Sequence, residues 1–187
     1  MYQIFDYEYA SEINPRLCQT ISRYDIEDVV VGGARKTDMN LHKKGIPELT
    51  ALLNWIDDIT PLAAHRFTNT DEYDKNNYRL VSDQGGGKYN FDIKAFKLKH
   101  CWGITYNEGE GVERHNHFPY ALSFCYYVNL PSGSSPLVLN NEIVNPKAGQ
   151  VVFFLSSAYH SVPACSVDGR CSVVGNIMYI DKSYIRV

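Results

Sequence analysis

The sequence has no C-x-x-C pair, and its cysteines number five. An odd count without that spacing excludes a zinc ribbon and a fully paired disulfide framework. Cys101 and Cys125 lie in apolar, strand-like runs and read as buried thiols. Long hydrophobic stretches are missing too. Runs such as Val151 to Leu155 fall far short of the roughly 20 residues a membrane-spanning helix needs. No charged segment followed by an apolar one opens the chain, so a reduced, cytoplasmic setting is expected. Nor is there a block of like charge. Lysine and arginine total 18 against 21 acidic residues, for a net charge of −3, and they are scattered. Lys43-Lys44, and Lys94 with Lys97 and Lys99, read as solvated faces, so neither nucleic acid nor membrane is an expected partner. A phosphate loop is absent as well. Gln84-Gly85-Gly86-Gly87-Lys88 lacks the G-x-x-x-x-G-K-[ST] spacing, and Tyr89 follows the lysine. That glycine-rich stretch is instead a candidate lid over a site.

What the chain does have is aromatic and β-branched content, with 14 tyrosines among its 187 residues. The length suits one domain with a substantial core. Residues 1–12 begin with a short strand. Asn14-Pro15 is a helix start, with Leu17, Ile21 and Tyr24 following, and Ile26 to Val31 reads as a strand closed by Gly32-Gly33. Gly45-Ile46-Pro47 opens the clearest helix. Ile46, Leu49, Leu52, Leu53, Ile56 and Ile59 form one apolar stripe, and Thr60-Pro61 ends or kinks it. Residues 68–90 are polar and read as a loop region. Beyond them come short strands: Phe91–Leu98, Cys101–Tyr106, Ala121–Leu130, Pro136–Leu139, Gln150–Leu155, His160–Ala164 and Cys171–Ile180. Many short strands parted by turn residues, with helices only at the front, predict a mainly β fold. The expected architecture is a double-stranded β-helix, or jelly roll, with N-terminal α-helices packed against it. The expected organisation is a single domain, with 1–67 as helical support, 68–90 as polar loop and 91–182 as jelly-roll core.

Chemistry gathers in the second half. His115 and His117 sit at i and i+2, so an extended strand would point both to one face, roughly 6.5–7 Å apart. His160 lies on a later strand and can close a metal site with them. His42, His65 and His100 have no such setting and read as surface or structural residues. Arg170, Ser172, Val174 and Asn176 alternate and share one strand face. An arginine turned into a barrel needs an anion. The partner is either an acidic residue of the chain or a substrate carboxylate, which Ser172 and Tyr127 would also bind.

These residues resemble the Fe(II)- and 2-oxoglutarate-dependent dioxygenases, of the prolyl hydroxylase type. The resemblance covers about residues 90–182. It rests on Tyr106, on Arg114 before His115, on Cys125-Tyr126-Tyr127-Val128-Asn129, on Val152-Phe153-Phe154, on His160-Ser161-Val162 and on Arg170-x-Ser172. It implies Fe(II) as metal, 2-oxoglutarate and O2 as co-substrates, and hydroxylation of a C–H bond, with a prolyl residue as first guess. By position, His115 and His160 match metal ligands. Arg170, Ser172 and Tyr127 match the groups that hold the far carboxylate of 2-oxoglutarate. Tyr106 and Asn176 fall where the family lines its pocket, and Arg114 and Trp102 are candidate substrate contacts. The departure is His117, which gives H-x-H where the family has H-x-D or H-x-E. His117 either ligates the iron, the favoured reading, or turns aside for water or another anion, or marks a degenerate site; Glu110 or Glu113 could also intrude. Two other functions fit a jelly roll. One is a cupin-type metalloprotein that does not use 2-oxoglutarate: Gly109 stands as in a G-x5-H-x-H start, but the glutamate expected after His117 is missing. The other is a non-catalytic binding protein, which would hold no transition metal.

Overall fold

A computed structural model describes residues 2–24, 28–68, 72–74, 79–82, 89–92 and 95–180. The central feature is a seven-stranded sheet. In chain order its strands are β1 (Tyr2–Asp6), β2 (Asp28–Val29), β3 (Arg35–Lys36), β7 (Phe96–Tyr106), β9 (Leu122–Asn129), β12 (Gln150–Leu155) and β14 (Arg170–Tyr179). Across the sheet the order is β1-β12-β9-β14-β7-β3-β2, antiparallel throughout. A four-stranded antiparallel sheet faces it. Its strands are β8 (Val112–His115), β10 (Leu137–Leu139), β11 (Glu142–Val144) and β13 (His160–Val162), in the order β11-β10-β13-β8. This is the jelly roll the strand pattern predicts.

The helices are α1 (Ala10–Arg23) and α2 (Pro47–Thr68). They cover the outer face of the large sheet. Leu17, Ile21, Leu49, Leu52 and Ile56 pack there with Phe124, Tyr126, Val128, Phe153 and Val173. The inner face forms a second core between the sheets, with Trp102, Ile104, Cys125, Tyr127, Val152 and Phe154 against Leu137, Leu139, Val144 and Val162. β9 therefore sends alternate side chains into two different cores. That is why its sequence reads as an unbroken apolar run rather than an alternation. Close approach fixes the helix layer. A Cβ on Gly103 would meet Ile21 Cγ2 at 2.5 Å, so only glycine lets α1 sit this near β7.

Several elements differ from their sequence-based bounds. α1 begins at Ala10, four residues ahead of the expected Asn14-Pro15 start, and holds Pro15 inside it. Its first turn is tied to Tyr7 and Tyr9, whose carbonyls accept from Ala10 N–H at 3.2 Å and Glu12 N–H at 3.1 Å. α2 runs through Pro61 to Thr68 instead of ending there. Proline removes one backbone bond at a cost of about 3 kcal/mol. Ala63 and Ala64, almost wholly buried, continue the packed face and offset it. The Thr60 hydroxyl also donates to the Ile56 carbonyl at 2.7 Å. Of the strand expected at Phe91–Leu98, residues 96–98 join the expected Cys101–Tyr106 in one continuous β7, whose exposed Lys97 and Lys99 alternate with inward residues, while Phe91 belongs to a separate strand. β11 was not expected. It forms a hairpin with β10 through Asn140 and Asn141, both at positive φ (47° and 69°). The polar 68–90 stretch contains β4 (Glu72–Asp74), β5 (Arg79–Ser82) and the start of β6 (Tyr89–Asp92), which pair as a three-stranded sheet. Its triglycine, the candidate lid, lies outside the described residues, as does Ile26 of the expected Ile26–Val31 strand. Among the described residues no helix is long and apolar enough to cross a membrane.

Candidate metal centre

Strand pairing brings two of the imidazoles together. His115 ends β8 and His160 begins β13, and the two are direct partners across the ladder. Their rings lie 4.3 Å apart between centroids. His117 is not on the strand, as the i, i+2 reading assumed; it lies two residues beyond the end of β8 and opens the turn whose Tyr120 N–H donates to its carbonyl. Its backbone N–H donates to Ser156 O at 2.8 Å, which pulls the turn inward. The His117 ring thus stands 4.9 Å from His115 and 4.8 Å from His160. One ligand atom from each ring lies within 4.8 Å of the other two.

The free nitrogens are defined by what the others touch. His115 Nδ1 is 2.8 Å from Glu113 O, and His160 Nδ1 is 3.2 Å from Ala158 O. A carbonyl can only accept, so each Nδ1 donates and each Nε2 is the nitrogen left to meet a ligand. His117 Nε2 is buried and has no hydrogen-bond partner among the described residues. Burial, then the neighbouring imidazoles, pushes the His117 pKa down to about 3. Burial first, then His115, brings His160 to about 4. Both rings are neutral at pH 7, the state in which imidazole ligates a metal. No carboxylate joins the cluster among the described residues. The Glu110 carboxylate is engaged elsewhere, accepting from Asn107 N–H at 2.7 Å and meeting Arg35 Nε at 3.5 Å. Glu113 is exposed at the cavity edge.

The imidazoles open into a cavity of about 400 Å³ between the two sheets. Arg170 lies in the same cavity, only 1% exposed, at the first position of β14. None of its three guanidinium nitrogens has a hydrogen-bond partner among the described residues. Its contacts are aromatic: the guanidinium carbon is 4.2 Å from the Tyr106 ring centroid and 5.5 Å from that of Tyr127. Two more polar groups nearby are orphaned. Among the described residues Tyr127 OH and Ser172 Oγ are buried without hydrogen-bond partners, and these residues face each other across the β9–β14 ladder. A buried charge with two idle hydroxyls beside it costs stability unless a ligand completes it.

Tyr106, Trp102 and Arg114 also line the cavity. Trp102 packs edge-on to His117 at 5.7 Å, and the Arg114 guanidinium lies over the Tyr159 ring at 4.1 Å. Tyr127 and Ser172 flank Arg170 without being lining residues themselves, and neither is Asn176 among them. It is buried deeper, where its Oδ1 accepts from Ser123 Oγ at 2.8 Å. Sequence reasoning missed one wall altogether. Val30, Val31, Lys36 and Met39 line the cavity from the N-terminal third. This segment is held by Gly32 O and Val31 O, which accept from Gly111 N–H at 2.6 Å and Glu113 N–H at 2.9 Å. The Gly32-Gly33 pair was the one available signal.

No protein-family model matches the chain, and no curated protein matches it in sequence. Solved structures do match. A prolyl-4-hydroxylase of Pseudomonas putida superposes with a TM-score of 0.62 at 16% identity, covering 95% of this chain and 91% of its own. A viral collagen prolyl hydroxylase of Paramecium Bursaria Chlorella virus-1, solved with 2OG, superposes at 0.65 and 10% identity, with 96% of each chain covered. The epimerase SnoN, solved with Fe3+, alpha ketoglutarate and nogalamycin RO, superposes at 0.64 and 13% identity, covering 96% of this chain and 81% of its own. Identities this low speak to fold. The chain has a jelly-roll fold like that of the prolyl hydroxylases and the 2OG-Fe(II) oxygenase it superposes on.

Proposed function

We propose that the protein is an Fe(II)- and 2-oxoglutarate-dependent oxygenase that hydroxylates a C–H bond, with a prolyl or other amino-acid residue as the first candidate substrate. One observation carries this reading. Among the described residues Arg170 is buried without a hydrogen bond, beside the idle hydroxyls of Tyr127 and Ser172, in the cavity that also receives the three imidazoles. A dicarboxylic acid fits that pair of sites, one end at the metal and the other on the guanidinium.

In this reading His115, His117 and His160 hold Fe(II) through the open nitrogens described above. Arg170 takes the far carboxylate of 2-oxoglutarate, and Tyr127 and Ser172 each donate a hydroxyl bond to it. Bound Fe(II), with 2-oxoglutarate and O2, supplies the oxidising power needed to break an unactivated C–H bond. The residues of the chain position and exclude. Trp102 and Phe154 wall the imidazoles with apolar surface. Tyr106 packs under the Arg170 guanidinium and keeps it aimed inward. Arg114, steadied by Tyr159 at the cavity edge, is the candidate contact for the primary substrate. A protein ligand set without a carboxylate leaves one more positive charge at the metal than the H-x-D arrangement.

Calorimetry with Mn(II) and 2-oxoglutarate tests the reading. The unmodified protein should bind both, and Arg170→Ala should retain Mn(II) while no longer binding 2-oxoglutarate. Binding of 2-oxoglutarate that survives in Arg170→Ala would remove the assignment. Mass spectrometry for a +16 Da product, against peptide and metabolite panels with succinate release as control, then identifies the substrate.

A further inference from the structure

Two of the three imidazoles are set by the β8–β13 ladder and by a carbonyl at Nδ1. His117 has neither support. It lies in a turn, and its backbone is held by Ser156 O. Ser156 is in turn fixed from the opposite side. Its hydroxyl lies 2.7 Å from Ser123 Oγ, and Ser123 Oγ donates to Asn176 Oδ1 at 2.8 Å. Ser123 has a single hydroxyl proton, and it goes to Asn176; the Ser156 hydroxyl therefore donates to Ser123. All three side chains are essentially inaccessible to solvent. Ser123 and Asn176 are also register partners on β9 and β14, next to the irregularity between Asn176 and Ile177. Three buried polar side chains, two on the large sheet and one just past β12, are costly to keep without a purpose, although each here is satisfied.

We propose that Asn176, Ser123 and Ser156 form a buried polar strut that sets the position of His117, and through it the geometry of the three-imidazole centre. They are positioning residues. The strut runs from the middle of the large sheet, through the Ser156 backbone, to the amide of His117. It does for the turn histidine what strand pairing does for the other two. Asn176, which the family resemblance placed in the pocket lining, acts from behind it. The inference rests on the reading that the three imidazoles bind a metal.

The test is a double-mutant cycle read by Co(II) affinity and by the Co(II) visible absorption spectrum, without turnover. Ser156→Ala is the principal variant, because it leaves the Ser123–Asn176 bond intact. Ser123→Ala is the second, with circular dichroism checking the fold of each. In the otherwise unmodified protein, Ser156→Ala should weaken Co(II) binding by about 10-fold, within the range seen when supporting residues are removed around a metal ligand. It should also alter the absorption bands. In a His117→Ala background the same substitution should change neither. An equal loss in both backgrounds would show a general structural effect and overturn the proposal, as would unchanged affinity and spectrum in the single variant. Failure of the unmodified protein to bind Co(II) is a different result, since it removes the metal centre itself and the strut's role with it.

Discussion

Tyr126 and Tyr127 are neighbours on β9, both fully buried, and they point into opposite cores. Tyr126 OH donates to Asn14 Oδ1 at 2.7 Å, in the helix-covered layer. Tyr127 OH has no hydrogen-bond partner among the described residues, and it packs in the inner core beside Arg170 and Ser172. One face of the sheet is chemically closed and the other is left open. The closed face holds the fold. On the proposed reading, the open face gives up stability to keep donors ready for an anion. Burial raises the hydroxyl pKa of both, so each remains a neutral donor across the physiological range.

The closed face should respond most strongly to truncation. Phe124→Ala, at a site with no exposure between α1, α2 and the sheet, should cost about 3–5 kcal/mol in denaturant unfolding. A loss under 1 kcal/mol would mean that the helix layer is not the main source of stability. On the open side, Arg170→Met should leave the metal-free fold as stable or more stable, since an uncompensated buried charge is replaced by apolar surface. The same change should weaken 2-oxoglutarate binding by about 100-fold, because the carboxylate no longer has a charged hydrogen-bond donor to meet. A marked fall in melting temperature would show that the guanidinium stabilises the free protein.

Acid should also distinguish the two faces. His117 and His160 have folded-state pKa values of about 3 and about 4, against an unfolded value of about 6.5. Between those limits the unfolded chain binds more protons. Stability from these rings is therefore full above pH 6.5 and is lost as pH falls towards 4. Metal-free thermal melts should drop by several degrees over that window, and the slope should be shallower in His117→Ala. Equal slopes in the two proteins would contradict the buried, neutral ring. The smallest effect belongs to the tyrosines themselves. Tyr126→Phe should cost about 1 kcal/mol by stranding Asn14, while Tyr127→Phe should be neutral or slightly stabilising in the free protein.

Much of this was legible in the residues. Strand texture after residue 95, the H-x-H pair with a late histidine, and the alternation of Arg170 with Ser172 all survive in three dimensions as neighbours. What was not legible has physical causes. The stretch from Ile26 to Val31 read as a strand, but β2 and β3 are two residues each, too short for a periodicity that would show Val30, Val31 and Lys36 facing the cavity. The Asn140-Asn141 turn was readable, since asparagine tolerates positive φ in a two-residue hairpin loop, and β11 follows from it. Pro61 misled because proline argues locally, whereas the burial of Ala63 and Ala64 is tertiary. The Ser123–Asn176 bond was hidden because alternation gives a residue's face but not its depth.

The N-terminal hairpin has one further consequence. Its β3 strand joins β7, while residues 31–34 reach across to Gly111 and Glu113, two positions short of the first metal-site imidazole. A Cβ on Gly32 would strike Gly111 O at 2.7 Å, so the two backbones meet with nothing between them. The segment is a clasp that closes the mouth of the barrel from outside it. Replacing its valines would reshape what enters while leaving every imidazole and the guanidinium untouched, which makes this short strip the natural place to retune the protein for a different guest.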